Sequence, residues 1–470
     1  MSSFKLSTFE KVGFGAGDMA VNVVISSFFL IISYFYTDVF GLKPTDMGLM
    51  FLIVRILDGI ADPIMGTITD KVTTRWGRYR PYLAFLSVPF GVSIFLTFST
   101  PDLDYNLKLA YAYATYMLVT LMFTGVTIPY ISLIGVLTDD PKERLSANGY
   151  RLFFAKIAAF LVSIVVPKLA DWSYWEGDKA LGYKMSMGAM AILGIALLLF
   201  CFFSTKERLE HHVDPKSIWI QMKYLVKNDQ MMILCGVCLL GTVGYVIRNS
   251  VAMYYAKYYL HTDQGYFLGT GVLAAILAMV ASTWITKRYC KLKLFRYSQM
   301  AVGVISVAMF YLVSGPDDVV LAFVLYFLLS FVVDLHAPVF WSAIVEAVDY
   351  GEVKTGERVA GLAFGGISFF QKAGMGVAGA VVGVLLTFYG YEADKVQTET
   401  SLLGITLMLT VIPGVFHFIN GSLMMKYHIT DEEYRELATH LDMDVDASAA
   451  ETSAPVQPNT DNVNLVTGAK

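Results

Sequence analysis

Two carboxylates on one face of an apolar helix set the chemistry this chain can do. In Arg55-x-x-Asp58-x-x-x-Asp62-Pro63, Asp58 and Asp62 stand four residues apart and share a helix face, with Arg55 one turn before Asp58. Carboxylates this close repel unless a proton or a metal cation lies between them. Hard oxygen ligands favour H⁺, Na⁺ or Li⁺ over a transition metal. The same spacing also suits an Arg–Asp network that only pins helices together, so both roles stand open.

Further ionisable residues lie in stretches otherwise as apolar as hydrocarbon: Asp18, Arg151, Lys156, Arg248, Asp334, His336 and Lys372. A charge at the bilayer centre costs about 2.5–3.5 kcal/mol even on the mildest scale, so such residues face a cavity or pair with one another. Asp18 follows Gly13-Phe14-Gly15-Ala16-Gly17. With no strand before them and no Gly-Lys-Ser/Thr after them, these glycines let helices approach closely rather than cradle a phosphate. Asp18 would then accept hydrogen bonds from a hydroxyl-rich ligand. Thr124 and Thr127 precede Pro129, which frees a backbone carbonyl beside a cavity. Their hydroxyls either face a ligand or bond back to their own helix.

Arg151, Lys156, Arg248 and Lys372 either neutralise the buried aspartates or hold an anionic substrate, and Arg248 has the further option of snorkelling to the interface. Internal pairing accounts for these charges without a ligand, which favours a neutral substrate. Asp334-x-His336 fits a proton relay or a substrate-binding pair, and Trp341 a platform for a sugar ring; a satisfied bundle histidine and a packing tryptophan are the plainer readings. Cys235-x-x-Cys238, in an apolar helix with no nearby His, reads as packing rather than a redox or metal pair.

These residues require a membrane bundle to position them. The chain has 470 residues, 56% hydrophobic and only 16% charged, too few charges to cover a water-soluble domain. Apolar segments fall near 12–36, 46–69, 81–99, 108–138, 148–167, 183–204, 230–259, 264–286, 296–313, 318–349, 357–389 and 402–425. Each is long enough to cross a hydrocarbon core, giving an all-α polytopic protein of about twelve transmembrane helices. Lysine and arginine crowd the connections after even-numbered spans, which places both termini in the cytoplasm. No cleavable signal precedes the first span, which would act as an uncleaved anchor.

The longest internal hydrophilic stretch divides the spans into a first six-helix bundle over 1–204, a cytoplasmic connection over 205–229 and a second bundle over 230–427. Within the connection, Ile218, Trp219, Met222 and Leu225 beside Lys223 and Lys227 predict a short helix at the lipid headgroups. Residues 428–470 read as a cytoplasmic tail, an acidic helix followed by a disordered polar end. The net charge of −4 implies no nucleic-acid partner, and no Walker motif offers an ATP site.

The chain resembles the glycoside–pentoside–hexuronide:cation symporter family. The resemblance rests on GFGAGD (13–18), YFYTDVFGL (34–42), RILDGIADPIMG (55–66), DKVTTRWGRYRP (70–81), TIPYISL (127–133), Arg151, KNDQ (227–230), VDYGE (348–352) and Lys372. The segment 66–78 also resembles a loop motif of the wider major facilitator group, where it would be a charge latch between the second and third spans. The resemblance implies two six-helix bundles rocking about a midplane site in a bacterial cytoplasmic (inner) membrane. It implies a cation-coupled importer of a sugar, glycoside or pentoside, with an acidic sugar such as a glucuronide as the alternative. The coupling ion is H⁺, or Na⁺, and no other cofactor is called for. Position by position, Asp58, Asp62 and Thr124 match the family's cation site, and Asp18 and Arg151 its sugar contacts. Lys372 matches the lysine linking the halves; Arg55 would share in that charge coupling, and Thr127, Asp334 and Trp341 complete the candidate substrate site.

Two departures matter. Ala61 stands where the family's galactoside carriers have Asn, removing an amide oxygen and favouring H⁺. Thr127 and Ile131 replace an Asp and a Trp of those carriers, which argues against α-galactosides. Two other classes compete: an intramembrane aspartyl enzyme, disfavoured because Asp58 and Asp62 share one helix, and a non-transporting sugar sensor, which would need a signalling domain.

Overall fold

The computed structural model describes residues 5–138, 140–209, 218–357, 359–434, 436–437 and 439. Helices form twelve successive rods in these residues. α1 runs Thr8–Leu30 and continues through Ile32–Tyr34 into a π-helical turn, Phe35–Val39. α2 is Pro44–Lys71, α3 is Arg80–Phe85 with Ser87–Thr97, and α4 is Tyr105–Leu137. α5 joins Pro141–Phe160, a π-helical turn Leu161–Val165 and Val166–Ala170, and α6 is Lys179–Ser204. In the second half α7 is Asp229–Tyr254 with a π-helical turn Tyr255–Tyr259, α8 is Gln264–Thr286 and α9 is Lys291–Leu312. α10 is Val319–Asp334 with Ala337–Thr355, α11 is Ala360–Phe388, and α12 is Glu399–Leu409 with Val411–Leu423.

Nine of the described stretches are each long and apolar enough to cross a membrane. The shortfall from twelve has local causes. α2 carries Arg55, Asp58 and Asp62 in its middle, α3 is interrupted at Leu86, and the first half of α9 carries Lys291, Lys293, Arg296, Ser298 and Gln299. Side-chain caps start several rods: Ser7 and Glu10 form a reciprocal capping box on α1, and Asp178, Asn228, Asp263 and Thr398 cap α6, α7, α8 and α12.

Small residues bring the rods together. A Cβ on Gly15 would lie 3.1 Å from the Tyr150 carbonyl oxygen, and one on Gly13 would overlap Ser204, so the glycine run packs α1 against α5 and α6. A second seam joins the halves through α2 and α11. A Cβ on Gly48 would lie 3.0 Å from the Gly379 oxygen, and one on Gly383 would lie 2.2 Å from the Pro44 oxygen.

The ends of α1 and α7 repeat one another. Phe40 N–H bonds to Phe35 O and Leu42 N–H to Tyr36 O; Leu260 N–H bonds to Tyr255 O and Thr262 N–H to Ala256 O. These paired π turns set Asp38 opposite Lys257, whose Nζ lies 2.9 Å from Asp38 Oδ1 and 2.7 Å from Asp394 Oδ1. Tyr258 and Tyr391 hydroxyls also donate to Asp38, and Thr37 meets Tyr254 at 2.7 Å. This network ties the halves at the end away from the chain termini.

The linking helix, Ile218–Lys227, buries Leu225 against the second half and exposes Met222, Lys223, Val226 and Lys227. The expected tail lies mostly outside the described residues, but its first turn is packed rather than free. Ile429 is buried, and the Tyr434 hydroxyl donates to Asp349 at 2.8 Å.

Candidate functional site

α2, α4 and α11 converge on one polar cluster. Asp58 is fully buried, and the Arg55 Nη1 to Asp58 Oδ2 distance is 3.2 Å. The Arg55 Nη2 donates to the Tyr116 hydroxyl at 3.1 Å, and its guanidinium stacks over Phe28. The other Asp58 oxygen and the Asp62 Oδ1 both accept from Thr124 Oγ1, at 2.8 and 3.0 Å. Lys372 reaches across from the second half: its Nζ is 3.0 Å from Asp58 Oδ1, 2.6 Å from Asp62 Oδ1 and 3.5 Å from Thr124 Oγ1. Gly376, one turn along α11, makes this reach possible, because a Cβ there would press on Arg55 Cβ at 3.0 Å.

The Lys372 ammonium thus sits where three oxygens point, a position that also suits a monovalent cation. Buried carboxylates at this depth need such compensation. Thr124 does not bond back to its own helix, which leaves its hydroxyl for the carboxylates. No group of three or more His, Cys, Asp or Glu side chains with metal-site geometry occurs among the described residues.

A second polar group lies on α1 and α5. Arg151 Nε donates to Asp18 Oδ1 at 3.1 Å, while Asn22 Nδ2 donates to Asp18 Oδ2 at 3.1 Å. Asp18, Asn22 and Ser26 follow one another at helical spacing and form a polar stripe. On α4 the Thr127 Oγ1 is buried without a hydrogen-bond partner, and Tyr130 donates to the Phe14 carbonyl at 2.7 Å.

Two cavities lie between the halves and share Phe29 and Tyr245 as walls. One, partly open to solvent, is lined by Trp341, His336, Gln371 and His417. Trp341 is half exposed. The other, smaller and also partly open, is lined by Lys156, Arg248, Asn249, Ser330 and Asp334.

The structure departs from the sequence reading at two places. Asp334 and His336 do not form a relay: α10 breaks between them, and His336 Nδ1 meets Gln299 Nε2 at 2.9 Å instead. Gln299 Oε1 in turn meets His417 Nδ1 at 2.8 Å. Arg248 does not snorkel; it is 2% exposed, held inside the bundle. Sequence reasoning also missed residues now in the site. Tyr116, Asn22, Tyr245, Gln299 and His417 are uncharged, or lone in their spans, and carried no charge anomaly. Asn22 had a signal in its spacing from Asp18. Asp38 and Lys257 had one too, as opposite charges at corresponding places in the two halves. In the loop after α2, Glu207 accepts the backbone N–H groups of Arg78, Tyr79 and Arg80, each at 2.8 Å, a contact the sequence reading did not name.

Comparison with known proteins agrees with this architecture. The chain is similar to the putative glycoside/cation symporter YagG of Escherichia coli (strain K12), 34% identical over 441 residues that cover 93% of this chain and 95% of the relative. It is also similar to the isoprimeverose transporter of Lactiplantibacillus pentosus, at 31% identity over 91% of this chain and 90% of that one. Among solved structures, the nucleoside transporter NupG superposes with a TM-score of 0.61 at 15% identity, covering 90% of this chain and 100% of NupG, a likeness of fold alone. Residues 13–431 match the family described as MFS/sugar transport protein. The twelve-rod architecture and the extent of that match lead to one conclusion: this chain belongs to the MFS/sugar transport protein family.

Proposed function

We propose that the protein is a cation-coupled importer of a sugar or glycoside, with H⁺ as its driving ion and both termini in the cytoplasm. The observation that supports this reading is the Lys372 ammonium lodged between Asp58 and Asp62. A lysine on the second half that fills a cation-shaped position on the first half is a tethered competitor for the coupling ion. When an external cation takes that position, Lys372 leaves it and the tie between the halves is released. The two units, 1–204 and 230–427, then rock about the site, while the Asp38 network closes the outer end.

Substrate binding falls to Asp18 and Arg151 on one side and to the cavity carrying Trp341 on the other. Asp18 and Asn22 offer hydrogen bonds to sugar hydroxyls, and Trp341 offers a face for the ring. Ala61 supplies no oxygen to the cation position, which supports H⁺ over Na⁺. The isoprimeverose carrier among the relatives supports a pentose-containing glycoside as a substrate class.

The test is uptake of labelled glycosides into energised membrane vesicles, with the proton and sodium gradients varied separately. Uphill accumulation that collapses with the proton gradient supports the reading. Facilitated entry indifferent to both gradients would refute it.

A further inference from the structure

His417 on α12 is 1% exposed, and its two ring nitrogens meet different surroundings. Nδ1 lies 2.8 Å from Gln299 Oε1. Gln299 is fully buried, and its amide fits only one way round: Nε2 lies 3.2 Å from the Val333 carbonyl, which accepts and cannot donate. The amide oxygen therefore faces His417, and His417 Nδ1 carries the hydrogen. On the neutral ring this leaves Nε2 as a bare acceptor. It is buried and has no hydrogen-bond partner among the described residues. α7 faces it with Gly244, where a Cβ would lie 3.2 Å from Nε2, and so brings it no donor.

A buried acceptor without a donor destabilises the bundle, and any group that brings a hydrogen to Nε2 removes that cost. The cavity indicates which group. His417 lines it together with Thr242, His336, Gln371 and the half-exposed Trp341, and no Asp, Glu, Lys or Arg is among its described lining residues. A lining without a charge favours a neutral ligand over an ion. An indole face beside imidazoles, an amide and a hydroxyl suits a sugar, whose ring covers the indole while its hydroxyls meet the polar groups.

We infer that His417 is a specificity-determining residue of the sugar path: its Nε2 accepts one hydroxyl of the glycosyl ring that rests on Trp341. Gln299 is its positioning residue, holding the imidazole in the accepting tautomer. The inference rests on the sugar-transport reading and deepens it. To the contacts from α1 and α5 it adds a demand for one particular hydroxyl, set from α9 and α12. A sugar without that hydroxyl leaves Nε2 buried and bare, so the site discriminates against it.

The experiment measures binding of p-nitrophenyl glucopyranoside and xylopyranoside, in both anomers, and of their monodeoxy analogues to the detergent-purified protein by calorimetry. In the wild type at least one analogue should bind about tenfold more weakly than its parent. His417→Asn keeps an amide hydrogen for Gln299 but has no atom at the Nε2 position. In that variant one of these costs should fall to about twofold at most, while hydroxyls held by Asp18 and Arg151 keep theirs. His417→Gln, whose amide oxygen reaches the Nε2 position, should retain part of the cost, and Gln299→Met should lower the same cost and no other. Should His417→Asn fail to fold, His417→Phe is read in the same way; because the readout is a ratio, partial loss of folded protein does not alter it. No cost in the wild type, or every cost unchanged without Nε2, would overturn the inference. So would the loss of all costs together, which marks a structural role, and an unchanged cost in Gln299→Met would overturn the positioning role. Any of these results with a parent glycoside bound defeats this inference alone, whereas binding of no parent defeats the sugar-transport reading with it.

Discussion

Replacing Asp62 with Asn should separate coupling from substrate binding. With both carboxylates ionised, Arg55 and Lys372 balance Asp58 and Asp62. Asp62→Asn leaves that cluster with one excess positive charge, into which a coupling cation would have to enter. At an effective dielectric constant of about 20, one pair of unit charges about 4 Å apart is worth roughly 4 kcal/mol. Losing it lowers cation affinity by about three decades. One charge moving through 100 mV supplies about 2.3 kcal/mol, enough for roughly 50-fold accumulation. The variant should fall from a ratio of that order to about one in energised vesicles. Counterflow in de-energised vesicles should persist, because Asp18 and Arg151 lie on other rods. Asp58→Asn should behave differently. It strands the buried Arg55 guanidinium without a charged partner, at a cost of about 3–5 kcal/mol read as a lower melting temperature in detergent. Asp62 is 19% exposed and makes no contact with Arg55, so its variant should melt close to the wild type. Near-normal accumulation by Asp62→Asn would refute the cation site.

Adding an oxygen by Ala61→Asn should increase stimulation of uptake by Na⁺, whereas the wild type should respond to pH and hardly to Na⁺; strict Na⁺ dependence of the wild type would contradict this. Asp38→Asn removes the negative charge, and one of the two acceptor oxygens, shared by Thr37, Lys257, Tyr258 and Tyr391. It should speed labelling of Phe29→Cys from the outer face by an impermeant maleimide several-fold, and an unchanged rate would show that the network does not hold the end closed. Gly383→Val places its Cβ on the Pro44 oxygen, and the outer end should then fail to close. Transport should drop at least tenfold with the same rise in labelling; normal transport would mean that the α2–α11 seam is not required.

Charges in apolar segments made much of the site legible in the sequence. Asp58, Asp62, Asp18 and Arg151 were conspicuous because hydrocarbon tolerates no idle carboxylate, and the structure places them in two pairs of facing rods. The number of rods followed from segment length, although α2 conceals itself by carrying the site. Uncharged partners were not legible: nothing in the sequence distinguishes Gln299 or His417 from other polar residues until α9, α10 and α12 are packed together. The break in α10 after Asp334 was equally hidden, because Pro338 announces a bend without saying which side chains it separates. Nor does sequence tell whether a buried arginine finds a partner, since the answer depends on the distance between rods.

The paired π turns make the closed end a device of register. A π turn holds one residue more than the α turn it replaces, and each extra residue rotates the downstream chain by about 100° around the helix. That rotation aims Asp38 and Lys257 at one another from opposite halves. If either turn relapsed to α geometry, its side chain would swing away while the backbone kept its hydrogen bonds with shifted partners. Such an opening requires no unfolding and leaves no orphaned amide in the membrane. A one-residue insertion is enough to create a π turn, so a single genetic event in each half could have installed the lock, and a single deletion could remove it.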